Sequence, residues 1–220
     1  MKISVKICGL TDARGLTAAV DGGAAFVGFV FFRRSPRFVS LERAAELAAQ
    51  VGRGVGAVGL FVNPSDAELD AALAHVRLDM IQLHGTESPA RVDEVRQLSG
   101  LPVMKALGIA TARDVMAAGA YDDHADWLLF DAKAPPGAAR PGGNAAAFDW
   151  TLLKSYTGKT PWMLAGGLTQ ANVGAAIKAS GARAVDVSSG VETRPGIKSP
   201  ARIRAFLNAV QSVAGARTKA

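Results

Sequence analysis

Eight short apolar runs recur along the chain, and segments of helical periodicity separate them. The runs are Ile3–Cys8, Ala25–Phe31, Ala57–Val62, Met80–His84, Pro102–Leu107, Trp127–Asp131, Trp162–Ala165 and Ala184–Ser188. Short, nearly continuous apolar runs suit parallel strands, whose outer faces are covered by helices and so lack a clean polar alternation. Each intervening segment carries a helix start. Thr11-Asp12 opens one that Gly22-Gly23 stops, and Ser40 precedes a second. Ser65 and Glu68 stand at capping-box spacing before a third, and Ser88-Pro89 puts proline at the first position of a fourth. Thr111, Asp149, Thr169 and Ser199-Pro200 open the remaining four.

Eight strand-then-helix units predict an α/β fold, a single-domain (β/α)8 TIM barrel over residues 1–213, followed by a disordered basic tail over 214–220. A doubly wound open sheet rarely needs eight units, and it usually carries Gly-x-Gly-x-x-Gly after its first strand; Cys8-Gly9-Leu10-Thr11 is not that sequence. The length agrees, since about 200–250 residues make one such barrel. The one long irregular stretch, Lys133 to Ala147, follows the sixth run and would overhang the active face.

A barrel collects its functional groups at the C-terminal ends of its strands. Cys8, the only cysteine, ends the first run, and Asp131 ends the sixth. Strand residues alternate between interior and helix layer, so an inward Cys8 brings Lys6 with it. Gln82 and His84 share a side, as do Asp186 and Ser188. Polar groups facing a barrel interior are costly unless paired or close to the open mouth. A lone cysteine is more often a small buried hydrophobe than a reactive thiol. Its position at a strand end beside a lysine favours the thiolate. Asp131 could equally cap a helix or pair with Lys133. Two turns are more specific: Ala165-Gly166-Gly167-Leu168-Thr169 follows the seventh run, and Ser188-Ser189-Gly190-Val191-Glu192 follows the eighth. The loops after strands 7 and 8 of barrels often hold phosphate, with glycines allowing close backbone approach. Arg37, after the second run, could clamp a planar carboxylate through paired N–H donors.

Composition narrows the class. A single cysteine forms no internal disulfide and fits a reducing compartment. Strand-like residues follow Met1 directly, and no run approaches the roughly 18 apolar residues of a membrane span, so a soluble cytoplasmic protein without membrane contact is expected. The net charge of +6 fits an anionic ligand. The basic residues are scattered, with Arg33-Arg34-Ser35-Pro36-Arg37 the densest group, and nucleic-acid binding is not expected. No metal-ligand spacing, Walker A loop or nucleophile elbow is present, so a reaction without metal or cofactor is expected.

Taken together, several segments resemble the phosphoribosylanthranilate isomerase family of tryptophan biosynthesis. They are Lys6-Ile7-Cys8-Gly9-Leu10-Thr11, Val27-Gly28-Phe29-Val30-Phe31 with Ser35-Pro36-Arg37, and Gln82-Leu83-His84-Gly85. Gly142-Gly143 before Phe148-Asp149-Trp150, and Ala165-Gly166-Gly167-Leu168 with Asn172-Val173, extend the match. So does Val185-Asp186-Val187-Ser188-Ser189-Gly190-Val191-Glu192 with Pro195-Gly196. The resemblance spans essentially the whole chain. It implies Cys8 as general base and Asp131 as general acid in an aldose–ketose (Amadori) rearrangement of a phosphosugar. It also implies Arg37 on the substrate's carboxylate, His84 at the substrate, Asp186 near the sugar, and Gly166, Gly167, Ser188, Ser189 and Gly190 around the phosphate. Asp131-Ala132-Lys133 departs from relatives that often carry threonine or serine after the aspartate, and Pro135 to Asn144 is idiosyncratic. The alternatives are another phosphosugar isomerase, such as the related histidine-pathway enzyme with an aspartate at strand 1, and a non-catalytic barrel that binds anions or nucleic acid. Cys8 argues against the first. A monomer is expected, since no exposed apolar face is evident.

Overall fold

The computed structural model describes residues 3–135, 137, 142 and 147–216, with side chains described to residue 213. Gly143, most of the 133–147 stretch and the end of the tail, 217–220, lie outside the described residues.

The eight apolar runs form the eight strands of a closed parallel barrel in sequential order. These are β1 (Ser4–Cys8), β2 (Phe26–Val30), β3 (Gly56–Phe61), β4 (Met80–Leu83), β5 (Val103–Ile109), β6 (Trp127–Ala132), β7 (Trp162–Leu164) and β8 (Ala184–Val187). The β1–β8 pairing closes the barrel and sets Lys6 opposite Asp186, while the β1–β2 pairing sets Cys8 opposite Gly28.

Alternation along the strands divides the core. Val5, Ile7, Val27 and Phe29 pack outward against the helices. Val58, Met80, Met104, Leu129, Met163 and Ala184 fill the lower barrel as a separate cluster. Cys8, Val30 and Leu60 form a third small cluster, on the interior side of their strands near the C-terminal ends.

The helices are α1 (Ala13–Asp21), α2 (Leu41–Ala48), α3 (Asp66–His75), α4 (Pro89–Ser99), α5 (Ala112–Ala117), α6 (Val173–Ser180) and α7 (Pro200–Ala216). Asp12, Ser40, Ser65, Ser88 and Thr111 cap the first five, with reciprocal capping boxes at Ser65/Glu68 and Thr111/Asp114. Two expected starts differ. The segment after Asp149 is a 3-10 helix, Trp150–Ser155, because the Asp149 carboxylate accepts from the Thr151 amide and tightens the turn. α6 begins after Asn172 rather than Thr169. Asn172 Oδ1 accepts from the Thr169 amide and its Nδ2 donates to the Gly167 carbonyl, so 167–172 folds back as a turn. α7 runs past residue 213, where the sequence predicted the tail to start.

One element escaped the sequence reading. Glu192–Arg194 (β9) and Ile197–Lys198 (β10) form an antiparallel hairpin beyond β8. It touches the β1 loop through the Thr11 hydroxyl, which donates to the Gly196 carbonyl.

A buried ion pair steadies the loop after β4. Lys105 on β5 donates to Glu87 Oε2 at 2.8 Å and to the Gly85 carbonyl at 2.8 Å. Glu87 in turn accepts from the amides of Asn63 and Gly85. Removing one partner of a buried pair strands the other charge at a cost of about 3–5 kcal/mol. Glu87→Ala should therefore lower the unfolding free energy by about that amount in a denaturant titration. A loss below about 1 kcal/mol, the size of an exposed pair, would show that Lys105 finds water instead.

Candidate active site

The strand ends converge as the barrel requires. Cys8 from β1, Arg37 from the β2 loop, His84 after β4 and Asp131 from β6 line one cleft at the barrel mouth. Gly166 and Gly167 after β7, and Asp186, Ser188 and Ser189 at the end of β8, line the same cleft. Gly190 lies behind this wall. A Cβ there would run into the Leu168 carbonyl oxygen, so only glycine lets the β8 loop lie against the β7 loop.

Cys8 is buried and carries a free thiol. Its Sγ and the Lys6 ammonium both face the space above Gly28. Lys6 is fully buried and pairs with Asp186 Oδ1 at 2.9 Å. Burial would lower its pKa, but Asp186 and Cys8 outweigh burial and raise it, so Lys6 stays an ammonium. The sequence reading expected this lysine to draw the thiol toward thiolate. Burial prevails instead: it pushes the Cys8 pKa above its ordinary value, Asp186 adds to the rise, and Lys6 and Lys198 oppose it. In the unliganded protein, thiolate absorbance measured by difference against Cys8→Ser should appear only above the ordinary thiol range. Lys6→Met should move it higher still. A thiolate already formed at neutral pH would contradict this electrostatic picture.

Asp131 sits inside β6 and is 7% exposed. It neither caps a helix nor pairs with Lys133, which binds Asp114 instead. Its Oδ1 accepts from the Ala132 amide at 2.8 Å, and its Oδ2 lies 3.3 Å from His84 Nε2. Gln82 Nε2 lies 3.1 Å from His84 Nδ1. A Gln82 amide donating to Nδ1 would leave the ring proton on Nε2, on the side of Asp131. Gln82 is fully buried, lines the cleft, and leaves its Oε1 without a partner among the described residues. Gly142 roofs the pair: a Cβ there would come within 2.6 Å of both Asp131 Oδ2 and His84 Nε2.

Arg37 is buried and engaged. Its Nε and Nη2 donate to the two carboxylate oxygens of Glu192 at 2.7 and 2.9 Å, and its Nη1 has no acceptor among the described residues. Around the glycine turn after β7, the amides of Gly166, Gly167 and Leu168 have no acceptor among the described residues. Gly166 and Gly167 adopt positive φ of 86° and 60°. Free amides in successive residues of such a turn make a concavity suited to an anion.

Sequence reasoning gave no role to Glu192 and Lys198, which stand behind this cleft, and it set Gln82 on the interior side with His84 without assigning it a function. Glu192 and Gln82 lay inside quoted motifs, but no pairing partner was visible for either. Among the described residues, no group of three or more His, Cys, Asp or Glu side chains is placed to hold a metal. Among those residues, no helix is long and apolar enough to cross a membrane.

A parallel eight-stranded barrel that gathers a thiol, a carboxylate, an arginine and two glycine turns at its C-terminal mouth is a (β/α)8-barrel enzyme. Comparison with known proteins specifies which. The sequence model of the family described as N-(5'-phosphoribosyl)anthranilate (PRA) isomerase matches residues 5–209, and the chain belongs to that family. The N-(5'-phosphoribosyl)anthranilate isomerase of Paracoccus denitrificans is 62% identical over 207 residues, covering 94% of this chain and 96% of its own. The crystal structure of phosphoribosyl anthranilate isomerase from Thermotoga maritima superposes with a TM-score of 0.84 at 33% identity, covering 96% of this chain and 99% of that one. A phosphoribosyl anthranilate isomerase crystallised with reduced 1-(o-carboxyphenylamino)-1-deoxyribulose 5-phosphate gives 0.81 at 32% identity, with the same coverage.

Proposed function

We propose that the chain catalyses the Amadori rearrangement of N-(5'-phosphoribosyl)anthranilate to 1-(2-carboxyphenylamino)-1-deoxyribulose 5-phosphate, a step of tryptophan biosynthesis. The observation that carries the reading is the presence of Cys8 and Asp131 on the walls of one cleft that Arg37 and the two glycine turns also line. Asp131 protonates the furanose ring oxygen while the anthranilate nitrogen lone pair expels it, which opens the ring to an iminium ion. Cys8 then removes the C2 proton, and the C–H electrons form the C1–C2 double bond of an enolamine. The enolamine tautomerises by gaining a proton at C1 and losing one from the C2 hydroxyl, which leaves the ketone. One positioned acid and one positioned base suffice for this sequence.

Anchoring both substrate ends fixes the reacting carbons between these two groups. Arg37 holds the anthranilate carboxylate. The turns at Gly166-Gly167 and Ser188-Ser189-Gly190 hold the phosphate, His84 and Asp186 contact the sugar, and a single chain supplies every group. The free thiol suits the reducing cytoplasm.

Arg37→Ala should weaken a carboxylated product analogue far more than its decarboxylated counterpart, measured as two inhibition constants. Equal losses would remove Arg37 from the carboxylate subsite. The reading as a whole is tested in cells: the gene should restore growth without tryptophan to a strain lacking this isomerase. A stably expressed protein that leaves the strain auxotrophic would contradict it.

A further inference from the structure

The β9–β10 hairpin places a buried lysine behind the cleft wall, against Ser188, which lines it. Lys198 is 4% exposed, and its ammonium has three acceptors. It donates to Glu192 Oε1 at 2.8 Å, to the Ser188 carbonyl at 2.9 Å and to Ser188 Oγ at 3.1 Å. The Ser188 hydroxyl in turn donates to the Cys8 carbonyl at 3.0 Å. Glu192 receives Lys198 and Arg37 together, and its backbone carbonyl accepts from Arg202.

One connected set of hydrogen bonds thus runs from the arginine of the β2 loop, through Glu192 and Lys198, to the serine that opens the β8 loop and on to β1. An arginine held by a carboxylate on two of its nitrogens can present its third edge in one orientation only. That orientation is set relative to the β8 loop by a cation that bonds both Glu192, which holds the arginine, and Ser188. We propose that Lys198 is a positioning residue that locks the Arg37 carboxylate clamp to the Ser188 phosphate loop, so that the enzyme reads the distance between its substrate's two anions as a unit. This rests on the assignment of Arg37 and the β8 loop to carboxylate and phosphate.

The groups facing Lys198 are Glu192 from β9, Arg37 from the β2 loop and Cys8 from β1, with the Lys6–Asp186 pair beyond Cys8. Burial pushes Lys198 down to about 8 against the pull of Glu192. Glu192 keeps its negative charge: burial would raise its pKa, but Arg37 and Lys198 hold it below the ordinary range. Raising the pH through 8 therefore removes the strut's charge in the native protein without any substitution.

The test measures the ratio of dissociation constants for the decarboxylated and carboxylated forms of the reduced product analogue, with inorganic phosphate as a third probe. Native protein at pH 7 should favour the carboxylated form strongly, and this preference should fall as the pH rises through 8, toward the level of the methionine variant. Lys198→Met should lose at least tenfold of the preference at pH 7, weaken phosphate as well, and show a flat pH dependence. A Lys198→Met protein that unfolds cooperatively and keeps the native preference would overturn the proposal, as would a native preference independent of pH from 7 to 9.5. If the methionine variant does not fold, the pH series on native protein decides alone. Native protein that turns over no substrate and shows no carboxylate preference at pH 7 would instead overturn the assignment of the anchors.

Discussion

Replacing Cys8 with serine should lower turnover by about 100- to 10,000-fold, the range that a positioned general base contributes. Serine keeps the size and the backbone, but its hydroxyl does not ionise in the accessible pH range and cannot take the C2 proton. Affinity for the reduced product analogue should change little, because no anchoring bond runs through the thiol. The loss should therefore fall on kcat rather than on KM. Near-native turnover would move the base elsewhere. The raised pKa of Cys8 sharpens the prediction. Only a small fraction of the unliganded protein holds a thiolate at neutral pH, so the buried ammonium groups of Lys6 and Lys198 are what keep that fraction from being smaller still.

Asp131→Asn should cost a similar factor for the opposite reason. The amide keeps the shape of the carboxyl group but has no proton to give to the ring oxygen, so substrate should bind and remain closed. The Ala132 amide already donates to one carboxylate oxygen, and His84 faces the other. The asparagine side-chain nitrogen would then confront His84 Nε2, and replacing the facing carboxylate by an amide should be visible as a shifted His84 ring signal in NMR. Turnover retained with a shifted ring signal would mean that His84, not Asp131, supplies the proton.

Much of this architecture could be read from the order of apolar runs. Each run became a strand because its residues face either helices or the barrel interior, and both surroundings are apolar through most of the barrel. The caps at Ser65 and Thr111 were local and therefore legible. Alternation alone put Lys6 beside Cys8, yet its partner Asp186 lies 180 positions away and is fixed only by the register that closes the barrel. The hairpin over Glu192–Lys198 was illegible for a related reason. Its sequence, Glu192-Thr193-Arg194-Pro195-Gly196-Ile197-Lys198, reads as a solvated turn, and its two charged ends are buried by ion pairs rather than by apolar neighbours. The resemblance marked Arg37 for a substrate carboxylate, and nothing in the chain order revealed that Glu192 already occupies two of its donors. The direction of the Cys8 shift had the same origin: a neighbouring lysine is visible in sequence, whereas the extent of burial is not.

We propose Cys8 and Asp131 as the base and the acid that act on one substrate. This pairing of roles is tested most directly by following anthranilate-ring fluorescence after freshly generated N-(5'-phosphoribosyl)anthranilate meets native protein, Cys8→Ser and Asp131→Asn. Fluorescence should fall rapidly with native protein and hardly at all with either variant, while both variants still bind the reduced product analogue. Fluorescence that persists with well-folded native protein would contradict the activity, and rapid loss with either variant would contradict the role assigned to that residue.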